Sequence, residues 1–226
     1  MARISHQSEK STSSNPTTKF LEWKSNDKAF GFYDKEKGEN VLVQLPLKFV
    51  FIQHYHTVKG WHDKNQAGIY SNEVFYIGNE PMTVRVFKPK GTIVAEGLYK
   101  DIKPQVSAAG GKYHRSIYVM LEDGSLANIS LKGAGVREWS EFMDLNKDKV
   151  DDVWVTVTEA VESKKGSINY STPKFVLGTK LTNKQSESAD SVAAVLEQFL
   201  DKYFKKEVKV EYAAVVEAVE TDSLPF

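Results

Sequence analysis

The chain contains no cysteine. Disulfide staples, thiolate nucleophiles and cysteine-based metal sites are therefore excluded. Long apolar runs are also missing. None approaches the ~20 residues of a membrane span, and the N-terminus lacks the apolar core of a signal peptide, so the expected setting is the interior of a cell. Net charge is absent too, with 30 Lys+Arg against 30 Asp+Glu over 226 residues. That balance hides an uneven distribution. Residues 1–184 carry 26 Lys/Arg and 21 Asp/Glu, a net +5, whereas residues 185–226 carry 4 and 9, a net −5. A mildly basic body able to meet phosphates is followed by an acidic segment able to compete for the same surface.

Catalytic signatures are equally scarce. There is no Gly-x-Ser-x-Gly elbow. Gly133-Ala134-Gly135 opens no phosphate loop, because Glu138 stands at the third glycine position, and no Walker-type lysine follows a glycine at the required spacing. Asp144-Leu145-Asn146-Lys147-Asp148 begins like a calcium loop, but Lys149 replaces the turn glycine and Val155 the bidentate glutamate. His54, His56 and His62 have zinc-like spacing with only Asp63 as a nearby fourth ligand, against a competing reading as polar strand-end residues. The sequence predicts a protein that is not an enzyme and takes no cofactor.

What is present is a series of short apolar runs separated by turn chemistry. Residues 1–18 are rich in Ser and Thr and predict a flexible arm. From 19 to 181 strands are expected at Val41–Leu45, Phe49–Val58, Thr83–Phe87, Thr92–Tyr99, Tyr113–Leu121, Ser125–Leu131, Val153–Val161 and Lys174–Leu177. Glu122-Asp123-Gly124 and the Pro89–Gly91 region read as hairpin turns. No helical crossovers of the kind that parallel strands need are evident, so the expected class is mainly β, an antiparallel barrel of OB-fold type. One short internal helix is expected at Arg137–Asn146, with Trp139, Phe142, Met143 and Leu145 on one side. A linker at 182–189 leads to an amphipathic helix at 190–206, with Asp190 as N-cap and Val192, Val195, Leu196, Phe199 and Tyr203 at helical spacing. An acidic tail at 207–226 completes the chain.

Aromatic and cationic residues interleave on the expected strands, as sequence-independent single-strand binding needs: rings on which bases stack and cations that follow the backbone. Arg85 and Phe87 share one strand face, opposite Val84 and Val86. Lys112, His114, Ser116 and Tyr118 share another, opposite Ile117, Val119 and Leu121, after a Gly110-Gly111 loop expected to be flexible. Lys88, Lys90, Lys100 and Lys103 cluster at neighbouring turns. With Trp61 and Arg115 these form the candidate nucleic-acid groove. The competing reading places the aromatics in the core and uses strand-end lysines as guards against edge pairing.

Lys59-Gly60-Trp61, then Gly68-Ile69-Tyr70-Ser71-Asn72-Glu73-Val74, Leu98-Tyr99 and Gly110-Gly111-Lys112-Tyr113 resemble phage-encoded single-stranded DNA-binding proteins over roughly Phe20–Leu131. The end of the chain resembles the same family and its bacterial counterparts. From Glu211 to Phe226 there is no Lys or Arg, and Asp222-Ser223-Leu224-Pro225-Phe226 closes on a hydrophobic-Pro-Phe tip, although with fewer acids than the family usually carries. The resemblance implies an OB-fold core that protects single-stranded DNA during phage replication or recombination in the host cytoplasm. It also implies a tip in which Asp222, Leu224, Pro225 and Phe226 capture replication proteins such as a polymerase, a primase-helicase or a recombination protein. The tail is expected to act also as an autoinhibitor, and a homo-oligomer is compatible. A virion or assembly protein built on a β-sandwich, and an RNA-binding OB module, are the alternatives.

Overall fold

The computed structural model describes residues 15–89 and 91–221, with side chains as far as Tyr203. The chain divides after Val192 into two compact units. The first, from Thr17 to Val192, holds every strand among the described residues. It opens with a three-strand antiparallel meander, β1 (Lys19–Lys24), β2 (Ala29–Asp34) and β3 (Glu39–Val43). The 16-residue β4 (Leu47–His62) follows, then β5 (Ala67–Ser71), β6 (Met82–Val86), β7 (Thr92–Gly97) and helix α1 (Tyr99–Ala108). Next come β8 (Gly111–Leu121), β9 (Leu126–Lys132), helix α2 (Ala134–Asn146), the long hairpin β10 (Val153–Lys165) and β11 (Ile168–Lys180), and helix α3 (Asn183–Thr221).

The chain is mainly β, and its eleven strands form one sheet in the order β3-β2-β1-β9-β8-β4-β5-β6-β7, with β10 branching from the start of β4 and carrying β11. The β8–β9 hairpin turns where expected. Asp123 Oδ1 accepts from the Ser125 amide at 2.9 Å and its hydroxyl at 2.5 Å, and Gly124 takes φ +79°, the local chemistry that makes Asp-Gly a turn. The sheet curls far enough for β11 to return to the end of β1. There the Ser171 amide donates to Ser25 Oγ at 2.6 Å, Ser171 Oγ donates to the Ser25 carbonyl at 2.6 Å, and Trp23 Nε1 donates to the Ser171 carbonyl at 2.9 Å.

Two apolar clusters fill one face of this sheet. The first gathers Phe30, Phe49, Ile117, Ile129 and Leu131 around Trp139 of α2, whose ring lies 5.1 Å from Phe175 and 5.5 Å from Phe142. The second gathers Val58, Ile69, Val84 and Val86 under Ile102 and Val106 of α1. A β-bulge between Phe51 and Gln53 shifts the alternation of β4 by one residue, so that Phe49 and Phe51 face the same way as His54, His56 and Val58. Both clusters thus share one long strand pair. A third cluster, Val50, Met120, Trp154, Leu181 and Ala189, lies on the opposite face at the start of β4.

Several expectations need correction. The sheet is not wholly antiparallel, since β1 pairs with β9 in parallel, with Leu21 opposite Ile129. Two internal α-helices are present: α1 covers the second cluster, and Pro104 within it had masked its pattern. The α2 face includes Trp139 and Phe142, but Leu145 is 83 % exposed. The expected linker 182–189 is helical. Thr182 Oγ1 accepts from the Gln185 amide at 3.4 Å while Gln185 Oε1 accepts from the Thr182 amide at 2.9 Å, so this reciprocal box caps α3 and Asp190 does not. The helix continues beyond 206 through residues 207–221 of the expected tail. At the other end, Thr18 is fastened to the Leu126 carbonyl by both its amide and its hydroxyl, each at 2.9 Å; residues 1–14 lie outside the described residues.

Candidate nucleic-acid interface

The sheet face opposite the two clusters carries the chemistry. Registers place Lys112 of β8, Lys59 of β4, Tyr70 of β5, Arg85 of β6 and Ile93 of β7 directly opposite one another in successive strands. Five strands at about 4.8 Å spacing make this line roughly 19 Å long. Beside it runs a second line, Trp61, Gly68 and Phe87. The Phe87 ring stacks on Tyr70 at 4.4 Å and 27°, over Gly68, where a Cβ would come within 3.0 Å of it. Phe87 is 58 % and Trp61 52 % exposed. Two rings thus stand open beside a row of cations. Lys59 stands directly opposite Lys112, a like-charge cross-strand pair of the kind an anion between them would relieve.

The backbone beneath Trp61 is tightly crossed. Gly110 has φ +94°, and a Cβ there would meet the Trp61 carbonyl at 2.2 Å; at Gly60 a Cβ would meet the Gly110 carbonyl at 2.3 Å. The Gly110-Gly111 segment expected to be a flexible flap is instead a close-packed crossing that fixes the end of β4 against β8.

The predicted groove residues divide. Trp61, Arg85, Phe87 and Lys112 are brought together on this face. Lys88 is exposed in the turn after β6, Lys100 and Lys103 are exposed on α1 rather than in turns, and Lys90 lies outside the described residues. His114 and Tyr118 share the face but are closed off, at 6 % and 5 % exposed. Tyr118 donates to Glu73 at 2.8 Å, and Ser116, itself receiving a hydrogen bond from Asn128, donates to the same carboxylate at 2.5 Å. The Tyr118 ring is therefore core rather than platform. Arg115 points to the opposite face, where it donates to His56 Nε2 at 2.9 Å. Asp222, Leu224, Pro225 and Phe226 lie outside the described residues.

A cleft of about 1140 Å³ continues the face past the ends of β8 and β9. It runs between α1, the start of α2 and the tip of the β10–β11 hairpin. Its wall carries Lys103, Lys112, Lys132, Arg137 and Lys165 against one carboxylate, Glu22, together with Tyr99, Tyr113 and Tyr170. Lys59, Tyr70, Lys132 and the three cleft tyrosines were missed from sequence. For Lys59 a signal existed: two residues before Trp61 on a strand, it had to share the tryptophan's face.

His54, His56 and His114 are held neutral. Trp139 Nε1, which can only donate, gives its hydrogen to His54 Nδ1 at 3.1 Å. Arg115 likewise only donates, so His56 Nε2 accepts and Nδ1 carries the proton that reaches Tyr113 Oη at 2.6 Å. Burial, with the nearby Arg115 charge, takes both to about 4. His114, bonded to Ser130 Oγ at 2.9 Å, is pushed to about 4 by burial and then by Lys59 and Lys132. Burial also lowers Lys59, against the pull of Glu73 and Glu22. His62 accepts from the Asn65 amide at 3.2 Å. Among the described residues no group of three His, Cys, Asp or Glu is placed to hold a metal, and no helix is long and apolar enough to cross a membrane. No protein family, curated protein or solved structure matches this chain.

Proposed function

We propose that this protein binds single-stranded DNA without sequence preference, as the phage proteins it resembles do, on an OB-like curled sheet. The observation that carries the reading is the line Lys112, Lys59, Tyr70 and Arg85 with Trp61 and Phe87 open beside it. Phosphates follow the cations, and bases stack on the two exposed rings. Function would be protection of transient single strands in replication or recombination inside a host cell. The Leu224-Pro225-Phe226 tip, proposed from sequence, would bring replication partners to the bound strand.

The test is a fluorescence titration of oligo-dT, duplex DNA and RNA of equal length at several salt concentrations. Binding to oligo-dT should be micromolar or tighter and should weaken steeply with salt. Lys112→Gln and Lys132→Gln should each lower the log-log salt slope by about 0.7. Equal affinity for duplex, a flat salt response or a preference for RNA overturns the reading.

A further inference from the structure

Among the described residues Glu22 is the one carboxylate on the cleft wall, and it sits where the cations converge. Its place on β1 opposite Ser130 puts it on the same face as Lys112 and Lys59. Lys24 Nζ donates to it at 3.0 Å, and Lys59 Nζ reaches Ser130 Oγ, Glu22's cross-strand neighbour, at 3.2 Å. Burial alone would raise the Glu22 carboxyl. The hydrogen bond from Lys24 and the charges of Lys24, Lys59 and Lys132 together outweigh that and hold it below the usual carboxylate range. Lysines from three strands thus converge on this anion, Lys24 in contact with it and Lys59, which Glu73 also attracts, and Lys132 nearby; the carboxylate remains about half exposed. A phosphate oxygen offers those lysines the same charge and the same acceptor geometry as the carboxylate does.

We infer that Glu22 is a built-in stand-in for a phosphate: it neutralises the lysine cluster in the free protein and competes with the bound strand for it. The residue therefore sets how tightly the face holds a polyanion. This rests on the proposed single-strand binding and adds to it a residue that opposes binding.

The variant Glu22→Gln keeps the shape and removes the charge. Freeing one phosphate contact should add about 0.7 to the salt slope, which is about 8-fold tighter oligo-dT binding at 50 mM salt relative to 1 M, and about 2.6-fold more affinity lost between 50 and 200 mM. Asp144→Asn, an exposed acid on α2 away from the face, makes the same change in net charge and should leave binding as it was. Glu22→Ser serves as a second variant if the first melts early. Tighter binding with a steeper slope in the Glu22 variants alone supports the inference. Unchanged or weaker binding overturns it, and so does equal tightening in Asp144→Asn, which would mean that only net charge matters. Absence of oligo-dT binding by the wild-type protein would instead defeat the proposed function, before Glu22 is considered.

Discussion

The two halves of the β4–β8 strand pair are built to different rules. In the half that joins Phe49–Phe51 to Val119–Leu121, apolar side chains pack on both sides, with the Trp139 cluster on one face and Val50, Met120 and Trp154 under the start of α3 on the other. The half that joins Val58–Gly60 to Gly111–Tyr113 and runs on to Trp61 has one packed face, through Val58 and Ile69, and one carrying Lys59, Trp61 and Lys112. A strand buried on both sides can only contribute stability. One covered on a single side leaves the other free for recognition, on a platform its packed face keeps rigid. The difference locates the candidate site more firmly than any single residue does.

The sharpest way to break that comparison is to truncate a tryptophan in each half. Trp139→Ala opens a cavity in the doubly packed half and should cost about 3–5 kcal/mol of stability, with oligo-dT binding falling only as the folded fraction falls. A urea midpoint that hardly moves would show that the first cluster is not the principal core.

The junction between the halves is sensitive to pH. His54 and His56 lie between the two clusters, His114 at the edge of the face, and all three have folded values of about 4 against an ordinary 6.5. The unfolded chain therefore takes up protons where the folded chain does not. Stability should be complete above about pH 6.5, fall as the pH drops toward 4, and flatten below that. Near pH 5 unfolding should take up about three protons through these groups, and His114→Gln should reduce that number by about one, read from urea midpoints between pH 7.5 and 4.5. A midpoint independent of pH over that window would mean that the three rings are not held neutral.

On the open face, Trp61→Ala and Phe87→Ala should each weaken oligo-dT binding by about 1–3 kcal/mol and shift the melting temperature little. Tyr118→Ala should do the reverse, because its ring is buried and its hydroxyl is tied to Glu73. Were Trp61→Ala to melt early and bind normally once folded, the two halves would not differ in the way described.

Sequence revealed one of these halves better than the other. The alternation of Val84 and Val86 against Arg85, the apolar run Ile117–Leu121 and the Asp123-Gly124 turn are local signals, and the strands they predict are present. Alternation also grouped Lys112, His114, Ser116 and Tyr118 correctly on one face. Which of them stay exposed was not legible, because the lid over Tyr118 is Glu73, 45 residues away. The parallel β1–β9 pair is likewise a contact over about a hundred residues. The start of α3 was legible and was misread: Thr182 and Gln185 have the spacing of a reciprocal helix cap, hidden in a stretch whose polarity suggested a linker.

That cap supplies the smallest expected effect. The first turns of α3 bring Ala189 and Val192 to Val50, Met120 and Trp154, and so provide the second covering of the doubly packed half. Thr182→Ala removes the hydroxyl that satisfies the Gln185 amide and should cost about 1 kcal/mol of stability. Because α3 covers Val50 and Met120 on the same sheet face as the cations but at the far end of β4 and β8 from Lys59 and Lys112, affinity for oligo-dT and its salt slope should not move. A loss of binding at unchanged stability would mean that the packed end of this face acts on its cationic end, and the division of labour between the halves of β4 and β8 would have to be redrawn.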